Sequence, residues 1–200
     1  MPPQVTGDNK IPEKCEIFLN MVNRFIGLLG REASRATENA PSEYPFVAMD
    51  IRQVFSQLSL VRRHLGLDDE AGREAAPTLL DVGCGIGNVL LLAEQLGFAV
   101  YGIEKDPAPY RVAAGLFSEE QVTRDDIWSY DRYHLFDVIY YFRPFSEREP
   151  QLRFERLIEE QLKPGGILVA NHKNSEAISD DPRFLRLDRH LPVWLKKVEP

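Results

Sequence analysis

Apolar positions recur in two rhythms along the chain, and the rhythm changes near Pro77. On the N-terminal side the period is helical. Ile17, Phe18, Met21, Val22, Phe25 and Leu29 fall near one face of a helix starting at Glu13. That stripe predicts core packing, with a dimer contact or a lid over a pocket as alternatives. Residues 30–45 mix charges, small residues and Pro41, and predict a loop with a short helix around Glu32 to Thr37. A second helix is predicted from Phe46 to Leu65, with Ile51, Phe55, Leu58 and Val61 inward. Arg62, Arg63 and His64 read as its solvated end.

Beyond Pro77, short apolar runs alternate with helical segments. Strands are predicted at 79–82, 98–103, around Val122, and at 136–142, 167–170, 184–187 and 193–198. Helices are predicted from Asn88, after Asp106 and over 149–162. This alternation predicts an α/β core with parallel strands. The chain thus divides into a fraying segment 1–12, a helical cap and linker 13–76, and a core 77–200.

The stretch LLDVGCGIGNVLLLAEQLGFAVYGIEKDP, from Leu79 to Pro107, carries the chemistry. A strand runs into Gly83-Cys84-Gly85-Ile86-Gly87, a helix follows, and a second strand ends at Glu104, next to Lys105. Glycines let a backbone turn tightly and let a ligand approach it. The helix start offers free N–H groups, and an acid ending the second strand suits the two hydroxyls of a ribose. The bare reading is a nucleoside-bearing ligand across the strand ends; the alternative is a tight turn and nothing more. Gly87 comes one place too early for a dinucleotide fingerprint. Asp81 would repel a pyrophosphate but suits an ammonium or a sulfonium.

Asp81, Gly83, Gly85 and Gly87 match, position for position, the D/E-x-G-x-G-x-G motif of class I S-adenosylmethionine-dependent methyltransferases, and the stretch resembles that family. The resemblance implies a Rossmann-like, seven-stranded, mostly parallel sheet flanked by helices, with strand 7 antiparallel and an N-terminal helical cap. It implies S-adenosylmethionine as cofactor, S-adenosylhomocysteine as product, and methyl transfer as the reaction. Glu104 matches the ribose-binding acid, and Asp81 would help hold the methionine end. Cys84 and Lys105 lie within the implied cofactor-binding stretch. Asp126 matches the acid that accepts from the adenine amino group if Asp125 replaces a usual glycine; the other reading of the pair is a loop cap. Ile127 would then give adenine an N–H and an apolar edge, with Trp128 nearby. Lys163-Pro164-Gly165-Gly166 resembles the family's turn before a later strand.

The acceptor side is less marked. Phe142-Arg143-Pro144-Phe145 stands where amino-group methyltransferases carry N/D-P-P-Y/F, so the polar acceptor for a planar amino group is missing. Arg143 offers a donor fork suited to carboxylate or phosphate, or else pairs with an acid such as Glu147. His172 is a candidate general base for an alcohol or phenol acceptor, or a loop hydrogen-bonding group. Tyr140 and Tyr141 are candidates to orient the acceptor, although adjacent strand residues face opposite ways. Tyr44, Phe46, Met49 and Asp50 form a candidate substrate wall, or an ordinary helix start.

Composition narrows partners only a little. With 31 acidic and 24 basic residues the formal charge is -7, which argues weakly against broad nucleic-acid contact. Two cysteines supply neither a disulfide framework nor a metal cluster, so no metal is expected and a cytoplasmic compartment is. No apolar run has the length of a membrane span. The expected acceptor is a small molecule, with RNA or protein, or a catalytically inactive cofactor-binding protein, as alternatives. The expected state is monomer or homodimer.

Overall fold

A computed structural model describes residues 13–35, 49–67 and 75–198. Seven strands form one sheet: β1 (Thr78–Val82), β2 (Ala99–Ile103), β3 (Val122–Thr123), β4 (Val138–Phe142), β5 (Ile167–Asn171), β6 (Phe184–Arg186) and β7 (Val193–Lys196). Their order is β3-β2-β1-β4-β5-β7-β6. Pairing is parallel from β3 through β5, and β7 is antiparallel to both β5 and β6. The expected architecture is thereby found. The order reverses between β1 and β4, and in an open parallel sheet the crevice outside that switch point is where ligands bind.

Five helices are described: α1 (Glu13–Arg35), α2 (Ile51–His64), α3 (Asn88–Gln95), α4 (Pro107–Ala114) and α5 (Arg148–Gln161). The central strands are short apolar runs because both sheet faces are covered. On one face α2 and α3 pack over Leu79, Val100, Val138, Ile167 and Val169, and α1 packs against α2, α3 and α4. On the other face α5 supplies Phe154 and Ile158, and Leu162 follows at its C-cap. Two short 3-10 turns, Tyr133–Leu135 and Ala177–Ser179, complete that layer with Tyr133 and Ile178.

Capping sets several boundaries. Asp50 is the N-cap of α2, and its carboxylate accepts the Arg52 N–H at 2.9 Å. Pro107 occupies the first turn of α4, where its missing N–H costs no hydrogen bond. Lys196 of β7 reaches back to the end of α5 and donates to the carbonyls of Glu159, Glu160 and Leu162 at 2.8–3.0 Å. An ammonium there satisfies carbonyls left open at the helix end and opposes its dipole.

Three expectations about the N-terminal helices need correction. α1 does not stop near Gly30 but runs through Arg35; residues 36–48 lie outside the described ones. Its buried face is centred on Leu19, Val22 and Ala33, not on Ile17 and Met21, which are 59% and 63% exposed. Residues two positions apart on a helix lie about 200° apart around its axis, so once Leu19 turns inward, Ile17 and Met21 must turn out. Arg62 is not a solvated residue, because its guanidinium donates to Leu96 O at 2.6 Å and Leu67 O at 3.0 Å, docking α2 on the end of α3.

Candidate active site

The glycine turn after β1 is held from below by β2. Gly83 N and Cys84 N both donate to Ile103 O at 3.0 Å, and Gly87 N donates to Cys84 O at 2.9 Å. Gly83, Gly85 and Gly87 all adopt positive φ, 77°, 56° and 82°, which L side chains rarely tolerate. Gly102 in β2 has a separate task. A Cβ there would lie 2.8 Å from Cys84 Sγ and 2.9 Å from Leu90 Cδ1, so the glycine lets turn and helix sit directly on the strand.

Glu104 closes the turn from the other side. Its Oε2 accepts the Gly85 N–H at 2.9 Å and its Oε1 accepts the Asp106 N–H at 2.8 Å. One side chain thus joins the β1 turn to the start of α4. Burial raises its pKa, opposed by the Asp106 and Gly85 N–H groups. The Lys105 N–H lowers it as well, and since an ionised carboxylate has about four acceptor positions, one remains open.

Asp81, in register with Tyr140 on β4 and Gly102 on β2, is only 2% exposed. Burial, then repulsion from Glu104, pushes its carboxyl well above the usual range. Among the described residues it has no hydrogen-bond or ion-pair partner. A buried acid without a partner is costly, and a bound cation is the natural way to complete it.

These groups face one cavity of about 390 Å³, within the usual range for small-molecule sites. The β1 turn, Glu104, Lys105 and Asp106 form one end. Asp125, Asp126, Ile127 and Trp128 form the flank. Met49, Tyr140, Phe142, Arg143, Pro144, Phe145 and His172 form the other end.

A family model described as a methyltransferase domain matches residues 46–194. The chain belongs to that family. No curated protein matches it. Among solved structures, the plantazolicin methyltransferase BpumL, in complex with a pentazolic desmethylPZN analog and SAH, is 19% identical over 80% of this chain and 52% of its own, with a TM-score of 0.47. The sugar N-methyltransferase KedS8 from Streptoalloteichus sp. is 22% identical over 66% of this chain and 57% of its own, TM-score 0.41. SAM-bound CalS10, an amino pentose methyltransferase from Micromonospora echinaspora, is 21% identical over 64% and 58%, TM-score 0.44. This methyltransferase domain therefore spans little more than half the length of those chains.

The residues singled out from the sequence fall into three groups. Asp81, Gly83, Cys84, Gly85, Glu104, Lys105, Asp126, Ile127, Tyr140, Arg143 and His172 all line the cavity. Gly87, Tyr141 and Asp50 do not. Gly87 serves packing, since a Cβ on it would come within 2.8 Å of Phe117 Cε2. Tyr141 points to the opposite sheet face, edge-on to Phe154 at 5.0 Å, so the alternation of the strand removes it from the cavity. Asp50 is the exposed α2 cap described above, and Tyr44 and Phe46 lie outside the described residues.

The flank acids each have a local partner as well. Asp126 Oδ1 accepts the Trp128 N–H at 2.8 Å, and its Oδ2 lies 3.7 Å from Lys105 Nζ. Asp125 Oδ2 accepts from Thr123 Oγ1 at 2.6 Å. The loop-cap expectation is met in geometry without removing either acid from the cavity wall. Trp128 stacks on Phe145 at 5.1 Å, while the Arg153 guanidinium lies 4.7 Å from its ring centre.

Arg143 and His172 share a trait that the sequence did not signal. Both follow the last residue of a strand and both have positive φ, 23° and 52°. Non-glycine residues in this region are strained, and such strain concentrates at functional sites. Arg143 Nη2 donates to Ser146 O at 3.3 Å, and the His172 ring meets Phe142 edge-on at 5.1 Å. Tyr140 donates its hydroxyl to Met49 Sδ at 3.1 Å. Burial, reinforced by Asp81, raises its pKa well above the ordinary range and keeps it protonated. Met49, from the expected substrate wall, also lines the cavity, whereas Asn88, Pro109, Phe142 and Phe145 were missed by sequence reasoning; as ordinary apolar or helix-start residues they carry no local signal.

Proposed function

We propose that this methyltransferase domain catalyses S-adenosylmethionine-dependent methylation of a small molecule bearing a carboxylate or phosphate. The observation that carries the reading is the pairing of Glu104, anchored yet with an acceptor position open, with the buried Asp81, which has no partner among the described residues, in one cavity. Those residues fit the cofactor. Glu104 would accept from the ribose hydroxyls, Asp81 would hold the cationic methionine end, and Asp126 and Ile127 would meet adenine. When bound, S-adenosylmethionine supplies an electrophilic methyl group.

The chain's own task is then to place an acceptor atom in line and keep water out. Phe142, Phe145 and Trp128 would provide the apolar walls. Arg143, at the same end, would grip two oxygens of the acceptor through its fork. Tyr140, protonated, would serve as a donor and not as a base. His172, exposed at the β5 exit, would take the proton of a hydroxyl acceptor.

The test is an acceptor screen with purified protein and S-adenosylmethionine, read by mass for a gain of about 14 Da, one methyl for one proton. Carboxylated and phosphorylated small molecules form one arm, and RNA and protein the others. Methylation confined to the first arm is expected. Methylation of RNA or protein alone would overturn the acceptor class.

A further inference from the structure

α5 carries Gln151, Glu155 and Glu159 at four-residue spacing, and all three are buried, at 0%, 1% and 8% exposure. From them a continuous polar chain leads to both strand exits on the acceptor side. Phe145 N donates to Gln151 Oε1 at 3.2 Å, and Gln151 Nε2 donates to Glu155 Oε1 at 2.9 Å. Glu155 Oε1 also accepts the Asn174 N–H at 2.6 Å. Its Oε2 accepts the Ser175 N–H at 2.9 Å and Lys173 Nζ at 3.1 Å. Lys173 further pairs with Glu159 at 2.6 Å.

Phe145 follows Arg143 by two residues, and Asn174 follows His172 by two. The two residues with strained φ therefore stand next to the two segments that this chain of bonds holds, one through Gln151 and the other by Glu155 directly. Strained conformations persist only where the surroundings over-determine them. A buried ion network is a weak device for stability, since apolar residues of similar volume often do as well. It is a strong device for geometry, because each bond fixes a direction as well as a distance.

We propose that Glu155 is a positioning residue that ties the β4 exit to the β5 exit and thereby sets Arg143 against His172 across the acceptor side. The proposal rests on reading that end of the cavity as the acceptor site. It assigns a role in acceptor recognition to a side chain outside the cavity lining.

The decisive variant is Glu155→Gln. It keeps the shape but turns one acceptor oxygen into a donor, which must then face the donors Ser175 N and Lys173 Nζ, or Gln151 Nε2 and Asn174 N. With S-adenosylhomocysteine bound, amide hydrogen exchange in 143–147 and 172–176 should rise together, about tenfold or more, while 79–104 stays unchanged. With an acceptor from the screen, its KM should rise at least about fivefold, and affinity for S-adenosylhomocysteine should stay within about twofold. Exchange rising at only one exit, or across the whole sheet, would overturn the proposal, as would equal losses in acceptor KM and cofactor affinity. If Glu155→Gln does not fold, Gln151→Met removes the bridge between Glu155 and Phe145 but leaves the bonds of Glu155 to 173–175, and should loosen 143–147 alone; looser or unchanged exchange at both exits contradicts the chain of bonds. The exchange measurement needs no acceptor, so failure of the acceptor reading and failure of this proposal are separable.

Discussion

Glu104 Oε2 accepts the Gly85 N–H at 2.9 Å, so the acid ending the second strand is built into the glycine turn that follows the first. Its second oxygen fixes Asp106 at the start of α4. A residue expected to act on a ligand thus also shapes the loop beside that ligand. Its removal should disturb both, and the two effects separate if binding and stability are measured on one preparation.

Asp81 gives a prediction in two parts. Its folded pKa is raised by burial, so the folded state holds this proton at pH values where the unfolded chain has released it. The stabilising protonation is complete below the ordinary carboxylate pKa and is lost as pH rises through the raised one. Above the ordinary carboxylate pKa the ligand-free protein therefore loses stability at this position, because burial disfavours the ionised form that the unfolded chain adopts freely. Asp81→Asn should raise the melting temperature of the ligand-free protein, by about 2 to 4 °C for each kcal/mol recovered, while weakening S-adenosylmethionine binding at least about tenfold. Wild-type affinity should decline as pH falls through the raised pKa, and the variant's should not. A destabilised Asp81→Asn, or a pH profile shared with wild type, would show that Asp81 has a different partner.

Gly87 should behave as a packing residue. Gly87→Ala meets a left-handed φ of 82° and a Phe117 ring carbon at 2.8 Å. The expected loss is about 2 kcal/mol or more, read as a drop in melting temperature. Phe117→Leu in the same chain should restore part of it. A variant of normal stability that had lost cofactor affinity would return Gly87 to the binding surface.

Legibility in the sequence followed burial and parity. The strands β1, β4 and β5 were legible because covering both faces forces continuous apolar runs, and the glycine turn because only glycine accepts its φ values. The orientation of α1 was not, since Ile17 and Met21 are as apolar as Leu19 and Val22, and pattern alone does not say which side meets the sheet. Gln151, Glu155 and Glu159 look in sequence like a solvated helix face; only the arrival of the β5 exit over α5 buries them. Arg143 and His172 were noticed for their chemistry, while their backbone strain left no trace in residue type. Tyr141 was decidable from alternation once Tyr140 was placed at the cavity.

The adenine flank yields a ranking. Asp126 reaches toward Lys105 and caps the Trp128 turn, whereas Asp125 is engaged by Thr123. Asp126→Ala should weaken S-adenosylmethionine binding about fivefold or more, while Asp125→Ala changes it less than about twofold. Calorimetry at one pH ranks them, and the reverse order would move the adenine contact to Asp125.

Arg143 should act on the acceptor alone. Arg143→Lys keeps a charge but loses the two-pronged geometry. Acceptor KM should rise about tenfold, with affinity for S-adenosylmethionine and melting temperature near wild type. Parallel loss of stability and of both ligands would mark Arg143 as a support of the β4 exit only. Unchanged kinetics would remove it from recognition.

The most direct measurement is calorimetric titration of S-adenosylmethionine and S-adenosylhomocysteine into the folded wild type and Glu104→Ala. The account predicts saturable binding of both to the wild type, weakened at least about tenfold by the substitution, because hydrogen bonds to a charged group are typically worth about 1.5 to 3 kcal/mol. Equal affinities in the two proteins would take Glu104 out of the site. No binding by the wild type at millimolar cofactor would contradict the assignment itself.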